Sequence, residues 1–485
     1  MQFTSLIFFG FFIIFYLLYV IFRGHIRVQN IWLLIASYVF YGLIGWRFLL
    51  VMVLITLTDF SLGWLMGNIN STDQKRIWFR RFTLLISLCI DAGILAFFKY
   101  YGYFAEDFSK VLDYLKLHPD PAILNFLVPV GISFYALKSM SYTLDIYRGK
   151  QNPASNLLEY AIYIAFFPAL LAGPIDRAGK LLPQIHQNRF ITPNHFSAGI
   201  FLILWGYFKK LVIADNLAVI SYQVFQPETD LYGLAILFGI LAFSIQIYAD
   251  FSGYTDIARG FARLMGFDLA INFKLPYFAI NPADFWQRWH ISLSEWLRDY
   301  IFFPVRRFIL NHMHYGMEFM GLLLPPIITM LISGMWHGTG WNFILWGLYH
   351  GVLLIIYRLS AMISLPQNIL RFSNSNLGFM LKMGLMFFFT CLGWVFFRAE
   401  TVQQAFQILA NISLAPSEQS ESFLRDILFY SSPLLIMQLW QAIKGDLLVV
   451  TKQRFSAQLL VHSLLLVWIV IFGARQTTEF IYSQF

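Results

Sequence analysis

Charge is what this sequence has least of. Only 12% of its 485 residues are Asp, Glu, Lys or Arg, about half of the roughly 25% that soluble domains carry. A soluble chain of this length cannot cover its surface with so little. Cysteine is scarcer still: Cys89 and Cys391 lie in apolar segments, and they offer neither a disulfide framework nor a metal pattern. No G-x-S-x-G elbow occurs, so a serine-hydrolase nucleophile has no support. No phosphate-binding Gly loop with a Lys is present. His312 and His314 form a bare H-x-H without a further ligand at metal spacing, so no metal site is expected. No repeat of about 20 to 50 residues stands out, which counts against transporters built from internal repeats. With no soluble stretch and no low-complexity linker, residues 1–485 read as a single integral-membrane domain.

What fills the chain instead is apolar. Hydrophobic residues make up 58% of it and mean hydropathy is +0.63. They collect in runs such as Phe3–Phe22, Leu231–Tyr248 and Ala457–Ala474. Runs of about 18 or more predict transmembrane helices, and roughly 11 to 13 transmembrane or re-entrant helices are expected in an all-α polytopic fold. The first run lacks a basic leader and a cleavage site, so it reads as a span and not as a cleaved signal. Pro and Gly interrupt the pattern at Pro129–Gly131, Pro168, Gly173–Pro174 and Pro325–Pro326. Each interruption predicts either a short re-entrant helix lining a protein interior or a kink in an ordinary span.

The net charge of +8 needs no nucleic-acid partner, because a Lys/Arg excess in a membrane protein marks cytoplasmic loops. Arg23–Arg27 and the group Lys75, Arg76, Arg80 and Arg81 put their loops inside. Loop 102–122, with Glu106, Asp107, Asp113 and Asp120 against Lys110 and Lys116, falls outside. Stretch 284–307 and loop 444–455 are basic and read as cytoplasmic; loop 413–424 reads as outer. Both termini are then expected on the extracytoplasmic face.

Polar residues are costly in a bilayer and mark functional positions by default. They concentrate between about residues 245 and 350, in three clusters: Tyr248–Asp256, Asp284–Tyr300 and Ser333–Gly351. His337 sits where an apolar span meets a Gly-rich turn. A neutral imidazole there can take a proton from a hydroxyl, as acyl transfer to an alcohol requires; a buried histidine that merely bonds a neighbouring helix is the other reading. Gly338 and Gly340 leave room for a flat thioester, and Trp336 and Trp341 wall the site from lipid. His290 lies on a stretch rich in Trp and charge, the composition of an interfacial helix. His350 reads as a packing or supporting residue.

Two of these clusters carry a resemblance. Asp284–Tyr300 (DFWQRWHISLSEWLRDY) and Ser333–Gly351 (SGMWHGTGWNFILWGLYHG) resemble the two histidine motifs of the membrane-bound O-acyltransferase (MBOAT) family, with His337 following His290 by 47 positions. Val128–Gly149, Phe166–Pro174, Gly206–Ala218 and Tyr248–Gly253 are similar to segments of its bacterial alginate O-acetylation branch. The chain departs from that branch after Pro304, where Val305–Phe308 replaces a Gly-rich turn. The resemblance implies a motif core of about 120–360 in a funnel with a central waist. It implies a multi-pass protein of the bacterial cytoplasmic (inner) membrane, with acetyl-CoA as donor on the cytoplasmic side and no bound cofactor. It also implies an envelope polysaccharide acceptor and an extracytoplasmic, SGNH-hydrolase-like acyltransferase partner. His337 carries over as the catalytic histidine and His290 as its companion, with Trp336, Asn342, His350, Asp284, Arg288 and Trp289 in support.

The aromatic tail 476–485 ends Phe480-Ile481-Tyr482-Ser483-Gln484-Phe485, similar to the F-x-Y-x-x-F ending of the small partner peptide in teichoic-acid D-alanylation. Two readings stand: Tyr482 as an acyl relay deprotonated by His337, or an aromatic anchor at the membrane interface. For the whole chain, an acetyltransferase competes with D-alanylation of another envelope polymer and with a polysaccharide-precursor flippase. The histidine pair favours an enzyme, since a flippase needs no base there.

Overall fold

The computed structural model describes residues 3–68, 74–114, 129–227, 229–312, 319–363, 366–475 and 480–481. Among the described residues the secondary structure is helical, with no strand. Among the described residues eight helices are long and apolar enough to cross a membrane: Trp46–Gly67, Lys75–Tyr101, Pro193–Val224, Leu234–Leu264, Met320–His337, Trp341–Ser360, Asn376–Arg398 and Phe455–Phe472. Eighteen residues at 1.5 Å each reach about 27 Å, close to the hydrocarbon thickness. Burial sorts them. Pro193–Val224 and Leu234–Leu264 bury 72% of their most apolar window, whereas Phe455–Phe472 buries 6% and presents its side chains to lipid.

The chain divides into two compact units. The first is Met1–Ile200 with Ala258–Ala270, and the second is Phe201–Ile257 with Ile271–Phe485. In the first unit, Phe8, Phe12 and Phe15 share one face of helix Leu6–Ile21 and meet Phe40, Phe167 and Phe261 ring to ring. Charge predicts an outer loop at 102–122, yet the helix Gln74–Tyr114 runs through its first half. The sequence from Gly102 to Tyr114 contains no Pro and is mostly composed of residues a helix tolerates, so nothing local ends the helix. The side chains of that loop lie outside the described residues.

Three of the four Pro/Gly interruptions break the chain. Gly131 opens helix Ile132–Tyr147 at φ +82°, and a Cβ there would stand 2.6 Å from the Leu170 carbonyl oxygen. Pro168 starts the four-residue helix Phe167–Leu170, and Gly173–Pro174 lies in the coil before Ala178–His186. These short, buried pieces are the re-entrant case. Pro325 and Pro326 instead sit inside the unbroken helix Met320–His337 of the second unit. Proline leaves the carbonyl four residues earlier without its donor. For Pro326 that carbonyl is Leu322, and the Arg358 guanidinium donates to it at 3.2 Å.

Helices Met320–His337 and Trp341–Ser360 form a tight hairpin in the second unit. A Cβ at Gly334 would lie 2.3 Å from the Phe343 oxygen, and one at Gly347 would lie 2.3 Å from the Met330 oxygen. Only hydrogen at both positions lets the two backbones approach this closely.

Candidate active site

His337 ends helix Met320–His337 and is 4% exposed. Its ring meets Trp336, Trp346 and Phe397 edge-on, at centroid distances of 4.8, 5.0 and 5.1 Å. His290 does not lie on an interfacial helix. It is 1% exposed and joins two short helices, Pro282–Trp286 and Ile291–Leu297, at φ +42°. A left-handed non-glycine residue is strained, and such residues cluster at functional sites. Trp336 stands between the histidines, 4.8 Å from His337 and 6.1 Å from His290. On its other side the His290 ring is perpendicular to Phe251 at 4.7 Å.

Asn272, which sequence reasoning did not single out, clamps this turn. Its Oδ1 accepts from the Ser292 amide at 3.2 Å and the Ser292 hydroxyl at 2.9 Å, and it lies 3.1 Å from His290 Nδ1. An oxygen that accepts from an N–H requires His290 Nδ1 to carry its proton. In the neutral ring Nε2 is then the basic nitrogen.

The expected supporting residues divide. Trp289 stacks in the wall against Trp394 at 4.7 Å and Phe273 at 5.0 Å. His350 is 1% exposed, between Trp346 at 5.0 Å and Trp286 at 5.1 Å. Among the described residues neither of its ring nitrogens has a hydrogen-bond partner, nor do the indole N–H groups of Trp286, Trp346 and Trp394. Buried donors of this kind suit a polar ligand atom. Asp284 and Arg288 do not point to the histidines. They pair with each other at 2.6 Å, while Asp284 accepts from the Ile280 amide just ahead of its helix and donates its own amide to the Asn281 cap. Asn342 also turns away, donating to the Ala399 carbonyl at 2.8 Å and so closing the end of helix Asn376–Arg398.

Two expectations about the Gly/Trp frame are corrected. Gly338 leaves no open face: a Cβ there would stand 2.1 Å from the Phe343 ring, and one at Gly340 would stand 2.1 Å from Asn342 Oδ1. The glycines admit neighbouring side chains, not a thioester. Trp341 is 71% exposed and walls nothing; Trp346 and Phe397 do that work beside His337.

A cavity of about 490 Å³ adjoins the site. Its lining includes Trp286, Ile291, Ser294, Arg298, Ser333 and Arg358. Ser333 is one turn before His337, and Ile291 follows His290. Deeper in the second unit is a charged cluster. Lys210 lies 2.8 Å from Asp250 and 2.9 Å from Asp215, and Lys209 contacts Asp256 at 2.6 Å and Ser252 at 3.0 Å. Both lysines sit in the π-helical turn Phe208–Ala214. The signal was legible, since charge inside an apolar run is costly, but the pairing was not. Tyr482 lies outside the described residues, whereas Phe480 and Ile481 before it are buried.

The sequence profile described as MBOAT, membrane-bound O-acyltransferase family, matches residues 33–396. The chain belongs to the membrane-bound O-acyltransferase family. Among MBOAT relatives, a "probable alginate O-acetylase" of Pseudomonas putida is 37% identical over 382 residues, covering 78% of this chain and 73% of the relative. A peptidoglycan O-acetyltransferase of Helicobacter pylori is 31% identical over 438 residues, covering 84% and 79%. A teichoic acid D-alanyltransferase of Bacillus subtilis is 29% identical over 268 residues, covering 52% and 64%. MBOAT membership makes the chain a multi-pass membrane O-acyltransferase, and so decides for the enzyme against the flippase.

Proposed function

We propose that this MBOAT enzyme passes an acetyl group from cytoplasmic acetyl-CoA to an alginate- or peptidoglycan-like polysaccharide outside the bacterial inner membrane. Both termini lie on the outer side in this reading. The observation that carries it is the pair of buried histidines flanking Trp336 beside the cavity of about 490 Å³. Arg298 and Arg358 on the cavity wall suit an anionic donor.

His337 acts as general base. Its ring takes the proton of an acceptor hydroxyl, here the phenol of Tyr482. The phenolate oxygen bonds to the thioester carbonyl, the C–S bond breaks, and the imidazolium returns the proton to the departing thiolate. The aryl ester, activated relative to an alkyl ester, is then handed to an SGNH-hydrolase-like partner, which transfers the acyl group to a sugar hydroxyl. Buried N–H donors around His350 and Trp346 are available to the carbonyl oxygen as charge develops. Support for the tail comes from Phe480, whose ring lies 5.7 Å from Phe251, the residue that faces His290. A D-alanyl group in place of acetyl is the second reading, favoured by the D-alanyltransferase relatives.

Labelled acetyl-CoA offered to the reconstituted protein should leave label on the chain or an acceptor. His337→Ala should lower that labelling by about 10²- to 10⁴-fold, the usual range for a general base, with the melting temperature little changed. Tyr482→Phe should remove label from the chain. Full acceptor labelling by that variant sinks the relay, and full labelling by His337→Ala sinks the mechanism.

A further inference from the structure

The end of the chain meets the interior of the second unit at three successive points. Asn216 donates to the Phe472 carbonyl at 2.9 Å, and the Ala474 amide donates to the Leu211 carbonyl at 2.9 Å. These fasten the end of helix Phe455–Phe472 to the π-helical turn Phe208–Ala214 and to the first turn of helix Asp215–Val224 that follows it. The third point lies further along: the Ile481 amide donates to Asp250 Oδ2 at 2.8 Å. Phe480, just before it, sits 4.6 Å from the Tyr254 ring and 5.7 Å from Phe251. Phe480 and Ile481 are 9% and 7% exposed, too buried for residues that merely anchor at a headgroup layer.

Asp250 is itself 1% exposed, and its other oxygen receives the Lys210 ammonium at 2.8 Å. The same ammonium lies 2.9 Å from Asp215, so one cation is shared between two buried carboxylates. A peptide N–H bonded to a buried, ion-paired carboxylate makes a charge-assisted hydrogen bond, stronger than a neutral one. It also reads backbone, not side chain, so it fixes the chain at Ile481 whatever side chain stands there. The π turn contributes geometry: consecutive Lys209 and Lys210 both reach helix Leu234–Leu264, through Asp256 and Asp250, whereas neighbours on an α-helix diverge by about 100°.

We propose that the Lys210–Asp250 pair and the Phe251–Tyr254 ring surface form a dock for the chain's own C-terminal segment, gripping the Ile481 amide and the Phe480 ring. Asp250 and Lys210 are positioning residues: they set where the aromatic tail enters the interior. The purpose of the dock rests on the reading of Tyr482 as acyl carrier; its existence does not.

Hydrogen exchange of the full-length protein in nanodiscs tests the dock directly. The Ile481 amide should exchange at least about tenfold more slowly than an unprotected one. Asp250→Ala should abolish that protection, and Asp250→Asn, which keeps an acceptor oxygen, should restore part of it. Phe480→Ala lies in the tail, leaves the buried pair intact, and should speed Ile481 exchange about tenfold even if Asp250→Ala fails to fold. An unprotected Ile481 amide in the wild type, or protection unmoved by Phe480→Ala, overturns the dock. Tyr482→Phe separates the two ideas: it should keep Ile481 protected and lose acyl transfer. Full transfer by that variant with Ile481 still protected overturns the carrier reading and leaves the dock standing.

Discussion

The two units each bury polar groups among apolar helices, but they satisfy them by different means. In the first unit the Asp59 carboxyl accepts from Ser87 at 2.7 Å and from Ser139. Ser139 in turn contacts the Tyr160 hydroxyl at 2.8 Å, and the Ser87 and Thr143 hydroxyl oxygens lie 3.0 Å apart. Asp59 is 0% exposed, as is Asp91 on the next helix. Hydroxyls and carboxyls thus stitch four neighbouring helices, Trp46–Gly67, Gln74–Tyr114, Ile132–Tyr147 and Leu157–Ala165. In the second unit the carboxylates of Asp215, Asp250 and Asp256 are met by the ammonium groups of Lys209 and Lys210. A hydroxyl network can lose one member and leave a polar atom short of a bond. An ion pair that loses one member leaves a bare charge in a low-dielectric interior, at far greater cost. The first unit uses polarity to hold its framework; the second uses it in the unit that holds the histidine pair and a sequence-remote tail.

That contrast can be broken in order of expected size. Lys210→Met strands two carboxylates and should cost about 3–5 kcal/mol, read as a fall in thermal stability in detergent. Adding Asp250→Leu and Asp215→Leu should recover most of it, and a single variant as stable as the wild type would erase the distinction between the units. Ser139→Ala removes a neutral donor and should cost about 1–3 kcal/mol by the same measurement, with acyl transfer per folded molecule retained. The smallest effect belongs to the pair of half-buried Asp446 and exposed Lys452, 2.7 Å apart. The Lys452 ammonium and the Leu448 amide hold the Asp446 carboxyl below its usual range. A depressed carboxyl stabilises the fold at neutral pH and loses that contribution as pH falls through its folded value, below about 4. Asp446→Asn should therefore change stability by under about 1 kcal/mol at neutral pH and not at all in strong acid. An effect as large as that of Lys210→Met would show that burial is not what separates these pairs.

The parts of the fold legible in the sequence were those written in local pattern. Apolar runs such as Ala457–Ala474 announced spans, and Pro168 and Gly173–Pro174 announced the broken, buried segment of the first unit. The paired histidine motifs were legible as chemistry. Individual roles inside them were not. Asp284, Arg288 and Asn342 have the residue types of a catalytic shell, yet the first two pair with each other and Asn342 closes the end of the neighbouring helix Asn376–Arg398. Gly338 reads as space and proves to be filled by Phe343. The charge rule placed a loop at 102–122 because it counts charges and ignores helix propensity, and the helix runs on to Tyr114.

By itself, then, the amino-acid order determined an all-α, many-spanning membrane protein with two histidines on successive motifs, because hydrophobic length and side-chain chemistry are local quantities. Tertiary structure alone decided that His290 turns left-handed under the hold of Asn272, and that Trp336 comes between the histidines. It also brought Ile481 to Asp250 across 231 positions of sequence. Those facts depend on how closely helices pack, at glycines such as Gly334 and Gly347, and on where a buried charge finds its counterpart. No periodicity along the chain encodes either.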